Sequence, residues 1–172
     1  ERIKNLQRNW IGKSEGLLFS SPVKGSDLVL QTFSTHFEAF KADTFVAIAP
    51  DHPLLTKLLE GVKNKNEILE FCKKIIQKRR TQKEPEIEGI FTGRYTIDPV
   101  GNGELPIWVT SFAIADYGTG IVKCSAHDQR DFEFAKKYKI KLKAVLMPQD
   151  PALRKKVENF EICYADMQNG IL

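Results

Sequence analysis

The chain has 172 residues, 42% of them apolar, with a net charge of +4 and a pI near 8.9. That is enough for one domain with a sizeable core. No apolar run approaches the roughly 20 residues of a membrane span, and the charged opening ERIKNLQRNW is no signal peptide.

Glu1 rather than Met opens the chain, as expected of a domain excised from a longer protein. The basic balance is compatible with a polyanionic partner without establishing one. Cys72, Cys124 and Cys163 are an odd number without CxxC spacing. This points to a reducing, cytoplasmic setting and gives no reason to expect a metal.

Residues 1–16 read as a basic lead-in and a turn, with Trp10 a core anchor or, alternatively, a base-stacking residue. Leu17–Phe19 and Leu28–Phe33 read as strands joined by a turn containing Pro22, Gly25 and Ser26. Thr44–Ala49 is a third β-prone run. Asp51 or His52 is placed to cap a helix opening at Pro53. Leucines and isoleucines at three- and four-residue spacing predict two helices between Pro53 and Gln82, divided near Gly61. The second ends in KKIIQKRRTQKE, either a solvated helix end or a phosphate contact.

Glu88–Thr96 and Leu105–Ala115 read as strands around a turn with Asn102-Gly103, and Trp108 is expected in the core. After the turn at Tyr117–Gly120, Ile121–Cys124 reads as a strand and Gln129–Tyr138 as an amphipathic helix. Lys141–Met147 is expected as a strand, Ala152–Asn159 as a short helix, and the last dozen residues as extended chain. The sum is a β-rich α+β domain with a mixed, partly closed sheet.

The ionisable residues concentrate in His127, Asp128, Arg130, Asp131 and Glu133. Two carboxylates three apart at a helix start can cap the helix, hold an ammonium or bind a metal. His127 is either a general base or a structural residue. Ser34, Thr35, His36 and Glu38 follow a strand and form a candidate second wall. The residues alone go no further than a polar site built from two segments.

The ordered motifs QRNWIGKSEG, APDHPLL, FTGRY, GELPIWV, DYGTG and HDQRDFEFAKKY carry more. Over roughly Leu6–Ile140 the chain resembles the inserted editing domain of bacterial-type leucyl-tRNA synthetases. The resemblance implies one domain, residues 1–172, set on a class I aminoacylation core that uses ATP outside this chain. It implies hydrolysis of the ester of mischarged tRNA(Leu), with no cofactor or metal. The partners would be the charged 3′ end of the tRNA and the rest of the synthetase, with no membrane. Such a second sieve is needed because one binding site separates similar apolar side chains by only ~1–3 kcal/mol; synthetases are the standard illustration.

On the same resemblance, Asp131 holds the α-ammonium of the substrate and Thr35 serves the reacting ester. Tyr117, Ile121, Lys123, His127 and Asp128 line the pocket, opposite a wall of Ser34, Thr35, His36, Glu38 and Ala39. The family pattern in that wall is close to TTRPDT, whereas this chain has STHFEA. Ala39 removes the side chain that blocks leucine. IVKCSA is one residue shorter than the family stretch, reversing side-chain facing beyond it. It also puts Lys123 where an apolar residue is expected, so that its ammonium would compete for Asp131. Together these departures imply a degenerate pocket. The alternatives are an inactive tRNA-binding insert, or a relaxed pocket that also attacks leucyl-tRNA.

Overall fold

The computed structural model describes residues 15–81 and 86–171. Trp10 and the end of the basic run, 82–84, lie outside the described residues.

Strands β1 (Leu17–Pro22) and β2 (Val29–Ser34) form an antiparallel hairpin in which Phe19 pairs with Thr32 and Ser21 with Leu30. These pairs share one face because side chains alternate along a strand. Leu30 and Thr32 are buried, whereas Leu18 and Phe33 on the opposite face are exposed. After a 3-10 helix (Phe37–Ala42) comes β3 (Asp43–Ile48). Two helices follow, the short α1 (Leu55–Leu58) and α2 (Lys65–Thr81). Then come β4 (Gly89–Ile97), β5 (Glu104–Thr110), β6 (Ile121–Ser125), α3 (Gln129–Lys137) and α4 (Pro151–Glu158).

The second sheet has the order β4-β5-β3-β6. The β3–β5 pair is parallel and the others antiparallel, so the sheet is mixed, as expected. It remains open: β4 and β6 are its edges, and the hairpin is a separate two-stranded sheet.

Alternation divides the core between the two faces of this sheet. Val46, Ile48, Ile107 and Val109 pack against Leu58, Leu59, Ile68 and Cys72 from α1 and α2. Phe45, Ala47 and Cys124 pack against Phe134 and Ala135 of α3. Burying an aliphatic side chain of this kind contributes roughly 1.5–3 kcal/mol. Trp108 is half-buried within this second cluster, its ring 5.6 Å from Phe134 and 5.1 Å from Tyr138.

Several expectations give way to specific hydrogen bonds. His52, rather than Asp51, serves the helix start: its Nδ1 accepts the Leu54 N–H at 3.1 Å. Asp51 faces Arg79 at 3.6 Å. The Leu105 strand stops at Thr110, because Arg79 caps the carbonyls of Ser111 and Ala113 beyond it. Residues 141–146 form no strand; the N–H groups of Val145 and Leu146 donate instead to a side chain, His127 Nε2. The final segment is turns rather than extended chain, since Asp166 Oδ1 accepts from the N–H of Gln168 and Asn169. Ile171 forms an isolated bridge to Met147.

Candidate functional site

The cleft wraps around the free edge of β6. A cavity of about 520 Å³ lies between the end of β2, the 3-10 helix, β6 and the start of α3. Ser34, Thr35, His36, Ala39, Tyr117, Lys123, His127, Asp128 and Asp131 all line it. One expected residue stands apart. Ile121 is buried in the core and borders a different depression with His52 and Thr119. Its side chain shares the Lys123 face of β6 but points to Val46 and Ile48 rather than the cleft. Glu38 lies in the 3-10 helix, and its side chain is outside the described residues.

Asp128 is the N-cap of α3: its Oδ1 accepts the Asp131 N–H at 3.0 Å. Capping is thus one function of the paired carboxylates. Asp131, one turn in, is 3% exposed. Burial, reinforced by the nearby Asp128 charge, pushes its carboxyl up to about 7. Arg130, 3.3 Å from Oδ1, and the Cys124 thiol act in the opposite direction. A buried carboxylate with one loosely placed cationic neighbour is suited to receive an ammonium, which supplies charge compensation that burial denies it.

His127 is structural. Its Nδ1 meets the Tyr164 carbonyl at 2.7 Å, and Nε2 accepts from Val145 and Leu146 at 3.0 and 3.1 Å. The two N–H donors fix Nε2 as acceptor, so the ring is the neutral Nδ1–H form. Burial lowers its pKa accordingly. No lone pair remains for a proton transfer, which removes the general-base reading.

Lys123 behaves differently from expectation. Cys124 faces α3, so Lys123, its neighbour on the strand, points to the opposite face. There its Nζ lies 2.5 Å from Asp98 Oδ1 and 3.2 Å from Asp43 Oδ2, 4.6 Å from the Phe19 ring centroid. Its ion pairs are with these two carboxylates and not with Asp131. Burial raises Asp43 to about 6 despite the lysine. The register explains how Asp43 arrives there. Phe45 pairs with Cys124 but Asp43 pairs with Ser125, so β3 has one more residue than β6 across Thr44. This bulge turns Asp43 onto the Lys123 face. Sequence reading missed Asp43; the parity of β3 assigns it to the Phe45 face, and nothing in the sequence marks the bulge.

The turn carrying Tyr117 is held from behind. His52 Nε2 donates to the Thr119 carbonyl at 3.0 Å, and Ala49 donates to Gly120. Gly120 has φ +70°, and a Cβ there would lie 2.7 Å from His52 Cδ2. Tyr117 itself is 79% exposed at the cleft mouth.

The basic end of α2 is internally neutralised. Lys73 pairs with Glu70, Lys74 and Lys78 with Glu88, and Arg79 binds backbone carbonyls. Four of the five basic residues described in this run are thus engaged, and Lys83 lies outside the described residues. Among the described residues no His, Cys and acidic cluster could hold a metal, and no helix is long and apolar enough to cross a membrane.

Residues 8–172 match the family described as leucyl-tRNA synthetase, editing domain. The chain is 46% identical over 157 residues to the leucine–tRNA ligase of Thermotoga maritima, covering 89% of this chain and 19% of that protein. Against the leucine–tRNA ligase of Syntrophobacter fumaroxidans it is 38% identical, covering all of this chain and 21% of that protein. A similar solved structure is the Agrobacterium radiobacter K84 agnB2 LeuRS in a ternary complex with tRNA and LeuAMS. The TM-score is 0.71 at 26% identity, covering 98% of this chain and 21% of that one. An open mixed sheet with a cleft at its edge is thus the architecture of a synthetase editing module. The chain belongs to the leucyl-tRNA synthetase editing-domain family, and it spans about a fifth of the length of these relatives.

Proposed function

We propose that this chain is the post-transfer editing domain of a leucyl-tRNA synthetase, hydrolysing the ester that joins a wrong amino acid to tRNA(Leu). The observation that carries the reading is Asp131, a buried carboxylate opening onto the cleft at the start of a helix. In this reading Asp131 binds the α-ammonium and fixes the ester, while water attacks its carbonyl. Thr35 and Ser34 orient that water or the terminal ribose from the opposite wall. The reaction takes no metal or cofactor, and ATP is used by the aminoacylation core outside this chain. The partners are the charged 3′ end and the remainder of the synthetase, in the cytoplasm, with residues 1–172 as one inserted domain.

The substituted wall makes the pocket a degraded one, slow on its substrates and poor at excluding leucine. Ala39 favours this, since a methyl in the family's blocking position leaves the wall open to a branched side chain. Lys123, in contrast, is engaged elsewhere and leaves Asp131 available. The test is deacylation by the full-length synthetase of isoleucyl-, norvalyl- and leucyl-tRNA(Leu). Slow release of all three supports the reading. Fast release of the non-cognate pair alone overturns the degraded wall, and no release above the spontaneous rate overturns hydrolysis.

A further inference from the structure

The carboxyl of Asp131 is gripped from two sides. From the solvent side comes Arg130, whose side chain is 44% exposed and stacks on the Phe112 ring, 4.3 Å from its centroid. Its guanidinium reaches Asp131 Oδ1 at 3.3 and 3.4 Å, a loose contact for an ion pair. From the core comes the thiol of Cys124, which hydrogen-bonds the same carboxyl. Cys124 sits on β6 facing α3, fully buried among Phe45, Ala47, Phe134 and Ala135. Asp131 lines the cleft, and Cys124 stands behind it.

The torsion that turns an aspartate carboxyl is broad and weakly preferred, so the plane of Asp131 is set by its contacts. An ammonium arriving from the cleft competes with Arg130, since both are cations on the solvent side. The thiol does not compete, because it approaches from the core. A thiol is a weak donor. Another acceptor within its reach, the Val122 carbonyl, lies at a long 3.7 Å. Burial and the Asp131 charge push the thiol well above its ordinary range, so it keeps its hydrogen while Asp131 titrates. That hydrogen goes to Asp131 when the carboxylate is ionised and relaxes towards Val122 when the carboxyl is protonated.

Resting on the editing reading above, we propose that Cys124 is a positioning residue for the ester hydrolysis. Its thiol donates to Asp131 from the core and holds the carboxylate plane towards the cleft while Arg130 gives way to the substrate ammonium. The groups facing Asp131 are Asp128 and Arg130 on its own helix, Cys124 on β6 and Cys163 on the C-terminal segment, with Asp43 of β3 acting on Cys124 in turn. Cys163 gives its hydrogen to the Ala126 carbonyl at 3.3 Å, which leaves Cys124 as the thiol donor.

The test uses the full-length synthetase and three replacements of Cys124. Alanine is smaller and valine larger, and neither donates; serine does. In Cys124→Ala and Cys124→Val the rising limb of the deacylation pH profile should move up by roughly half a pH unit, because the ionised carboxylate loses a donor. In Cys124→Ser it should stay at or below the wild-type position. No shift in the two non-donors, opposite shifts in them, or the same shift in all three would overturn the role. Infrared difference spectra give a readout that needs neither a variant at this position nor hydrolysis. An S–H stretching band should shift in the wild type as Asp131 titrates, persist in Cys163→Ala and lose its shift in Asp131→Asn. A band indifferent to pH, or a shift that survives Asp131→Asn, would overturn the thiol contact. A coupled band in a synthetase that deacylates nothing would overturn the editing reading instead, with the Cys124 to Asp131 pairing intact.

Discussion

Lys123 and Asp98 meet at 2.5 Å with side chains 3% and 0% exposed, a lysine on β6 joined to the turn after β4. Asp43 completes the group at 3.2 Å. Such clusters contribute little net stability relative to apolar packing but are costly to break, because the remaining charge is stranded. Lys123→Met is expected to destabilise the domain by about 3–5 kcal/mol, read by urea unfolding. Replacing all three together, with Asp43→Ala and Asp98→Asn, is expected to recover most of the loss. A neutral single variant would refute the pairing.

Asp131 predicts a pH signature in two measurements. Its carboxyl is raised to about 7 in the fold. A raised acid contributes stability that is full below the unfolded value and is lost as pH rises through the folded one. Asp131→Asn is therefore expected to gain stability over wild type as pH climbs from about 4 to 8, with no gain at the acid end. Activity runs the other way, because only the ionised carboxylate holds an ammonium. Deacylation kcat/KM should rise through pH 7 and fall once the substrate amine deprotonates, giving a bell. The rising limb should vanish in Asp131→Asn along with most of the activity.

His127 joins three backbone groups from two segments. His127→Ala leaves two N–H donors and one carbonyl unpaired, at about 1–3 kcal/mol for each group that stays buried. Hydrogen exchange at Val145 and Leu146 should accelerate with it. A variant that lost deacylation while keeping that protection would restore the general-base reading.

Gly120→Ala places a methyl against His52 and the Ala115 backbone at positive φ. A cost of about 1–3 kcal/mol is expected from the conformation alone. Thermal unfolding measures it. Release of the His52 to Thr119 contact should also loosen the Tyr117 turn, seen as weaker substrate binding.

Most of the fold was readable because it depends on periodicity. Leu55 to Ile76 at helical spacing specify a buried helix face, and the uninterrupted apolar run Phe45, Val46, Ala47 and Ile48 specifies a strand buried on both faces. The 141–147 segment was misread for a physical reason: KLKAVLM has strand composition, but its N–H groups are taken by His127, a residue distant in sequence. The site was legible through Asp128, Asp131 and the wall residues Ser34, Thr35, His36 and Ala39, all of which reach the cleft. The direction of Lys123 was not, because it depends on which strand lies beside it. Asp43 and Asp98 are ordinary strand-end aspartates until folding brings them together.

The extra residue of β3 at Thr44 works as a joint between the wall segment and the buried half of the strand. On its near side Asp43 is stepped by one position relative to β6, whereas Phe45 and Ala47 keep their places against Phe134 and Ala135. One strand therefore presents two registers, one serving the cleft and one serving the core.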